Sequence, residues 1–255
     1  MTDGPASPAP PDALAPVGES ASPEAIDPAR GPAAPMDYDA VGESRWPMVI
    51  AVFAVLLLSS VPPARVTVLG IPLLPLVVGV LLAVLVLGDP GRIDRRSRWL
   101  RNVSLALVGV LVLGALSGTA FLIIDLVDGS PLVNQAGALL IYGAKVWLAN
   151  NVAFALLFWQ MDRGGPAERV HGSSRYPDFV FPQEADPSLA APGWRPRFID
   201  YLYVAFTNAN AFSATDTMPL TGRAKLAMET QALISFVILT LVLARVVSVF
   251  TSGPS

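Results

Sequence analysis

Long uninterrupted apolar blocks are the feature of this sequence that most constrains its fold. Hydrophobic residues make up 53% of the 255 residues and charged residues only 15%, a balance that is unusual for a soluble domain. The hydrocarbon core of a bilayer is about 30 Å thick, and a helix needs about 20 residues to cross it. Blocks near that length recur along the chain, so the sequence predicts an all-α, polytopic bundle of transmembrane helices.

About six such helices are predicted. Four apolar blocks occupy residues 46–160, at 48–61, 71–87, 103–124 and 137–160. The first two are short, and a proline-containing turn over 62–70 joins them, so we expect a tight helical hairpin. A polar loop over 161–197 follows. Two further blocks, 198–215 and 226–250, complete the apolar part of the chain.

The N-terminal segment has a different composition from the rest. Residues 1–45 hold nine prolines, ten alanines and eight acidic side chains, against two arginines. Such a segment cannot bury enough apolar surface to offset its ordering entropy, so it predicts a disordered acidic tail. The predicted organisation is a tail over 1–45, four transmembrane helices over 46–160, a polar loop over 161–197 and a helix–turn–helix unit over 198–255.

Several kinds of chemistry are disfavoured by composition. The chain has no cysteine and one histidine, which excludes disulfides, thiolate metal sites and multi-histidine sites. Because no soluble catalytic domain remains, we predict no catalytic, metal or cofactor site and no enzymatic activity. The expected partners are the lipid bilayer, further copies of the chain in a homo-oligomer, and a small ion or solute. Nothing in the sequence indicates binding of nucleic acid.

The C-terminal unit contains a distinct order of motifs. An aromatic segment over 200–206 is followed by Thr207, and Asp216-Thr-Met-Pro219-Leu-Thr221 then leads to Arg223 at the start of the last helix. This order resembles the pore helix, filter turn and inner helix of potassium channels. Where a potassium filter has Gly-Tyr-Gly, the chain has Ser213-Ala214-Thr215, which lacks the backbone freedom of glycine. The substitution argues against a working potassium filter.

Polar residues nevertheless concentrate in this unit. They form a candidate path for an ion or solute made of Thr207, Asn208, Asn210, Ser213, Thr215 and Asp216. Polar groups at membrane depth must face protein or water. We therefore expect an integral membrane protein of unknown activity, channel- or transporter-like with a degenerate filter-like turn. The alternative is a non-transporting membrane scaffold or accessory subunit that uses the tail and the arginine-containing loops for contacts.

The same region contains a second series of motifs: Phe181-Pro182-Gln183-Glu184, the segment 200–207, Thr215-Asp216 and the basic patch 223–225. With these motifs it resembles a family of uncharacterised bacterial integral membrane proteins that is known by a domain of unknown function. The likeness covers about residues 145–250. It implies a multi-pass protein of the bacterial inner membrane and implies no activity.

The arginine distribution predicts the orientation. Loops 88–102 and 161–197 carry five arginines each, whereas 62–70 carries one and 125–136 none. The positive-inside rule puts both arginine-containing loops in the cytoplasm, and six crossings are the simplest account. The alternative is five crossings and a re-entrant pore-type helix. A pore helix that dips in from outside would place loop 161–197 outside, so we prefer six crossings.

Two charged residues lie within the apolar blocks. In the six-crossing arrangement Lys145 and Glu229 fall at similar depth, and we predict an intramembrane ion pair between them. The alternative is that Lys145 extends to the interface and Glu229 caps an exposed first turn. Asn150 and Asn151 point to different faces of their helix, and hydrogen bonding between helices is their expected role.

Overall fold

The computed structural model describes residues 43–59, 67–68, 71–88, 92–93, 97–129, 133, 135–170, 176–211 and 216–252. The predicted tail over 1–45, apart from its last three residues, lies outside the described residues. So do the candidate path residues Ser213 and Thr215, and most of the turn predicted over 62–70.

The described fold is mainly helical, which confirms the predicted class. Its helices are α1 (Trp46–Ser59), α2 (Leu73–Gly88), α3 (Arg98–Asp128), α4 (Ala136–Met161), α5 (Pro166–Val170), α6 (Pro182–Ala185), α7 (Phe198–Ala211) and α8 (Gly222–Ser252). Three helical stretches, Arg98–Asp128, Ala136–Arg169 and Gly222–Thr251, are long and apolar enough to cross a membrane. The helices α1 and α2 are apolar but shorter.

Short antiparallel strand pairs connect the loops, and the sequence did not predict them. The strands are β1 (Glu43–Ser44), β2 (Thr67–Val68), β3 (Ile71–Pro72), β4 (Arg92–Ile93), β5 (Phe179–Val180) and β6 (Met218–Pro219). They pair as β1 with β4, β2 with β3, and β5 with β6. In the last pair Phe179 lies opposite Pro219 and Val180 opposite Met218, so the loop after α4 is tied to the segment after α7.

The central element is α4, which packs against α1, α3, α7 and α8. Almost every residue in its second half is buried, as expected for a helix that is apolar on all sides. Close packing depends on two glycines. A Cβ at Gly143 would lie 2.7 Å from the side chain of Val242, and one at Gly114 would lie 2.9 Å from Leu74. These glycines let α8 approach α4 and α2 approach α3.

Six helix ends meet at one end of the bundle, which we call the Arg-rich end because Arg45, Arg98, Arg101, Arg163, Arg169 and Arg223 lie there. The start of α3 lies beside the segment after α4, where Arg101 and Glu168 are 3.9 Å apart. The strand before α1 reaches the same place, since Glu43 binds Arg169 at 3.0 Å. The end of α2 lies there as well, because a Cβ at Gly88 would be 2.7 Å from Leu100.

Both C-terminal helices also begin at the Arg-rich end. Tyr201, in the first turn of α7, donates a hydrogen bond to Asp162 at 2.5 Å. Arg223, in the first turn of α8, binds Asp178 at 2.6 Å. Between them, β6 pairs with β5 at this end. We call residues 198–222 the C-terminal hairpin, because the chain returns to the end of the bundle at which α7 begins.

Candidate functional site

Asp162 joins three parts of the Arg-rich end. It follows α4 directly and is fully buried. Its Oδ1 accepts hydrogen bonds from the backbone N–H groups of Asp178 at 2.8 Å and Phe179 at 3.2 Å. Its Oδ2 accepts from the hydroxyl of Tyr201 at 2.5 Å. Both oxygens are therefore bonded, which makes the buried carboxylate tolerable and connects α4 with the following loop and with α7.

Arg169 is the matching buried cation. Its Nε and Nη2 donate to Glu43 Oε1 at 3.1 and 3.0 Å, and its Nη1 donates to the carbonyl oxygens of Trp159 at 2.7 Å and Asp162 at 3.0 Å. The indole N–H of Trp159 completes the group by donating to Glu43 Oε2 at 2.8 Å. The guanidinium carbon also lies 5.3 Å from the centroid of the Tyr201 ring, within range of a cation–π contact.

Asp178 holds the start of α8. Arg223 donates to both of its carboxylate oxygens, with Nε and Nη2 each at 2.6 Å. The hydroxyl of Thr221 donates to the same carboxylate at 2.6 Å, and the backbone N–H of Leu220 donates to the Asp178 carbonyl at 2.8 Å. A bidentate arginine–carboxylate pair is a geometrically specific contact, so the position of α8 relative to the loop is well defined.

A fourth carboxylate lies beside these groups. Glu184 Oε1 accepts from Arg163 Nη2 at 2.5 Å, and its Oε2 accepts from the backbone N–H of Phe181 at 3.2 Å. Burial raises the pKa of Glu184 above its usual range, although the adjacent Arg163 guanidinium opposes the rise. We call Glu43, Asp162, Asp178 and Glu184, with their hydrogen-bond partners, the carboxylate network.

The carboxylate network contains residues from separate motifs of the sequence. Glu184, Tyr201 and Arg223 come from three segments that are far apart in the sequence, and all three take part in the network. Sequence reasoning missed Asp162 and Arg169. The available signal for Asp162 was its position two residues after the apolar block that ends at residue 160, and Arg169 had no such signal.

A second polar group lies inside the bundle. Asn208 Nδ2 donates to the Met228 carbonyl at 2.9 Å and to Gln231 Oε1 at 2.9 Å. Gln231 Nε2 in turn donates to the Ala205 carbonyl at 2.9 Å and to Asn151 Oδ1 at 3.4 Å. We call Asn151, Asn208 and Gln231 the amide layer, because their amides connect α4, α7 and α8.

Next to the amide layer lie two buried polar side chains whose polar atoms make no hydrogen bond within the described residues. They are Asn150 on α4 and Ser235 on α8, both fully buried. The two helices are antiparallel, with Gly143 beside Val242. Asn150 is seven residues after Gly143, and Ser235 is seven residues before Val242. The two side chains are therefore at the same height in the bundle.

The other residues of the predicted path are dispersed. Thr207 and Asn210 bond to carbonyls of their own helix, at 2.9 Å to Tyr203 and 2.9 Å to Phe206. Asn210 and Asp216 are exposed, whereas Asn208 is buried in the amide layer. Of the four described path residues, only Asn208 therefore takes part in a buried polar group.

The structure does not bring Lys145 and Glu229 together. Within the described part of the chain, no ion pair links them. Gly143 lies beside Val242, so Glu229 is displaced from Lys145 by roughly 16 Å along the bundle at 1.5 Å per residue. Lys145 is half-buried and Glu229 is exposed.

Neither polar group has the composition of a metal site. Among the described residues, no three His, Asp or Glu side chains are grouped so that they could hold a metal ion. The carboxylates instead bind arginines, a tyrosine hydroxyl and backbone N–H groups, which is the chemistry of anchoring. No protein-family model, curated protein or solved structure matches the chain, so its function has to be inferred from the C-terminal hairpin and the two polar groups.

Proposed function

We propose that the chain is a multi-pass protein of the bacterial inner membrane that crosses the bilayer five times and carries a re-entrant α7. We further propose that it is channel- or transporter-like, with a path for a small ion or polar solute along the exposed edge of the C-terminal hairpin. The observation that carries the proposal is the return of the chain, after α7, to the end of the bundle where α7 begins.

The depth at which α7 ends supports a re-entrant helix, whereas its length does not decide, since α1 also has 14 residues and is counted among the crossings. The 14 residues of α7 span about 21 Å, which is less than the hydrocarbon core of a bilayer. Asn208, near its end, bonds to Met228 and Gln231. These residues lie about 9 to 14 Å beyond Gly222 along α8. The end of α7 is thus at intermediate depth, and six crossings would instead require it to reach the opposite end of the bundle.

The arginine distribution gives the orientation of this arrangement. The N-terminal strand and the described residues of the loops at 88–102 and 161–197 belong to the Arg-rich end, which the positive-inside rule assigns to the cytoplasm. The C-terminal hairpin then dips in from the cytoplasmic side. A pore-type helix that enters from outside would place the arginines of loop 161–197 outside. A hairpin that enters from the cytoplasmic side leaves these arginines in the cytoplasm.

The hairpin also has chemistry suited to a cation or a polar solute. The C-terminal end of a helix carries a partial negative charge, and here it lies within the bundle's depth. Asn210 and Asp216 expose an amide and a carboxylate on the outer surface of a single chain. Asn210 lies in the last turn of α7, and an exposed polar group at that depth is costly in lipid, so we propose that further copies of the chain supply the second wall of the path.

Flux through liposomes tests this function. We expect purified protein to carry K⁺ or Na⁺, and Asn210→Ala combined with Asp216→Ala to change the rate by about ten-fold, which corresponds to about 1.4 kcal/mol in a barrier. Asp186→Ala is the matched control, because Asp186 is an exposed carboxylate in the loop at the same end and outside the hairpin. Flux that is equal in the double variant and the control would contradict the proposed path.

The second candidate is a non-transporting membrane scaffold or accessory subunit. The amide layer favours it, because Asn208, the most buried residue of the predicted path, is engaged in holding helices together. Absence of flux, together with a stoichiometric partner that co-purifies from native membranes, would support this candidate.

A further inference from the structure

A cavity of about 640 Å³ opens at the Arg-rich end, apart from the C-terminal hairpin's exposed edge. Its walls come from the start of α1, the ends of α2 and α4, the start of α3 and the turn that follows α4. Of the described residues, five arginines, Arg45, Arg98, Arg101, Arg163 and Arg223, line it together with one carboxylate, Glu168. The carboxylate network neutralises two of these arginines, Arg163 and Arg223, and leaves the positive charge of Arg98 and Arg101 in the wall.

The arginines differ in how far they are already neutralised. Arg163 and Arg223 hold Glu184 and Asp178 at 2.5 and 2.6 Å. Arg101 is 3.9 Å from Glu168, a long and half-exposed contact of small energetic weight. Arg98 forms no ion pair with any described residue and is exposed. Arg98 and Arg101, both in the first turn of α3, are thus the residues best able to bind an additional anion.

A buried acceptor lies in the same wall. Gln160, in the last turn of α4, is 4% exposed, and its Oε1 makes no hydrogen bond within the described part of the chain. An acceptor left without a partner in a protein interior costs free energy unless a ligand or water supplies a donor. A cavity with guanidinium donors and one free acceptor suits a ligand that carries an anionic group and a hydroxyl.

The rest of the lining contains two serines, Ser97 and Ser104, and an apolar wall. Met48, Leu85 and Leu100 are buried and face the cavity. Beside it, Leu87 at the end of α2 and Trp99 at the start of α3 are exposed, as expected for residues in contact with the bilayer interface. Basic pockets between membrane helices on the cytoplasmic side are suited to the headgroups of anionic lipids.

We propose that this cavity binds the phosphate group of a hydroxyl-bearing anionic ligand, through Arg98 and Arg101, with Gln160 accepting a hydrogen bond from the hydroxyl. The chemistry is shared by the headgroup of phosphatidylglycerol and by a soluble phosphate ester. The apolar wall favours the lipid. The site is independent of whether the hairpin conducts anything.

Native mass spectrometry of the full chain in detergent tests the proposal, with phosphatidylglycerol, phosphatidic acid and phosphatidylcholine as probes and glycerol 3-phosphate as a soluble competitor. We expect phosphatidylglycerol to bind more tightly than phosphatidylcholine. Each of Arg98→Gln and Arg101→Gln should weaken phosphatidylglycerol binding by about five-fold. Arg197→Gln is the control, because Arg197 is exposed at the same end and outside the cavity, and it should leave the affinity unchanged.

Gln160→Met tests the hydroxyl contact separately. It keeps the length of the side chain and removes the acceptor, so the preference for phosphatidylglycerol over phosphatidic acid, about five-fold, should disappear. Arginine-dependent lipid binding without competition by glycerol 3-phosphate identifies a lipid ligand, whereas full competition identifies a soluble one. Equal affinity for phosphatidylglycerol and phosphatidylcholine, or equal effects of Arg98→Gln and Arg197→Gln, would overturn the proposal.

Discussion

At the scale of single residues, Asp162 has the largest structural consequence. It accepts three hydrogen bonds, from two backbone N–H groups and from the Tyr201 hydroxyl, while fully buried. We expect Asp162→Ala to lower the free energy of unfolding by about 3 to 5 kcal/mol, because three buried donors lose their acceptor. Tyr201→Phe removes a single bond to the carboxylate and should cost about 1.5 to 3 kcal/mol.

Equilibrium denaturation with SDS in mixed micelles measures these differences. Asp186→Ala provides the baseline: the exposed side chain of Asp186 bonds, among the described residues, only to Ser188 in its own turn, and losing this N-cap should cost about 1 kcal/mol. A cost for Asp162→Ala that is no larger than this baseline would show that the carboxylate is not an anchor.

At the scale of elements, the direction of the C-terminal hairpin can be tested by labelling. The chain has no cysteine, so single cysteines can be introduced without background. Leu189, Leu220 and Val127 are all exposed apolar residues, located in the loop before α7, after β6 and at the far end of α3. With a re-entrant α7, Leu189→Cys and Leu220→Cys should react with an impermeant maleimide from the same side, and Val127→Cys from the other.

Six crossings give a different labelling pattern. Leu220→Cys would then share the accessibility of Val127→Cys and differ from Leu189→Cys. Because Val127 and Leu189 lie on opposite sides in both arrangements, they calibrate the two sides of the membrane within the same experiment.

The helices were largely predictable, because apolar block length is a local property of the sequence. The blocks at 103–124 and 137–160 became α3 (Arg98–Asp128) and α4 (Ala136–Met161). The return of the hairpin was not predictable, because it depends on the β5–β6 pair and on contacts between residues far apart in the chain. The sequence of a short apolar helix does not distinguish a helix that crosses the bilayer from a re-entrant one.

The candidate site was predictable only in part, for a similar reason. Asn208 stood out as a polar residue at membrane depth, but its partner Gln231 did not. Gln231 shares a buried face of α8 with Met228, Ser235 and Ile238, and this spacing of three and four residues was visible in the sequence. The residue predicted in this helix was the charged Glu229, which lies on the opposite, exposed face.

At the scale of the whole molecule, the exposed face of α8 predicts contacts between copies. Leu226, Glu229, Leu233 and Phe236 lie on one exposed face, and Glu229 is about 10 Å beyond the start of the helix. An ionisable group at such a depth is costly when it faces lipid. We expect Leu233→Cys to cross-link between copies in native membranes with a flexible bis-maleimide.

Leu113→Cys is the matched control for cross-linking. Leu113, on α3, has the same exposed fraction as Leu233, 64%, and lies on a different helix. Equal cross-linking at the two positions would indicate random collisions, and no cross-linking at Leu233→Cys would argue against an interface on this face of α8.

The pair between Asp178 and Arg223 also has a consequence for the order in which the protein is assembled. The two residues are 45 positions apart in the chain, and Tyr201 lies 39 positions after Asp162. During synthesis, the end of α4 and the loop after it therefore emerge with two carboxylates, Asp162 and Asp178, before Tyr201 and Arg223 have been made. The Arg-rich end can close only after α8 has begun to emerge from the ribosome. Closure is therefore a late event in biogenesis. Until then the unpaired carboxylates mark an incomplete chain, which quality-control proteases can recognise.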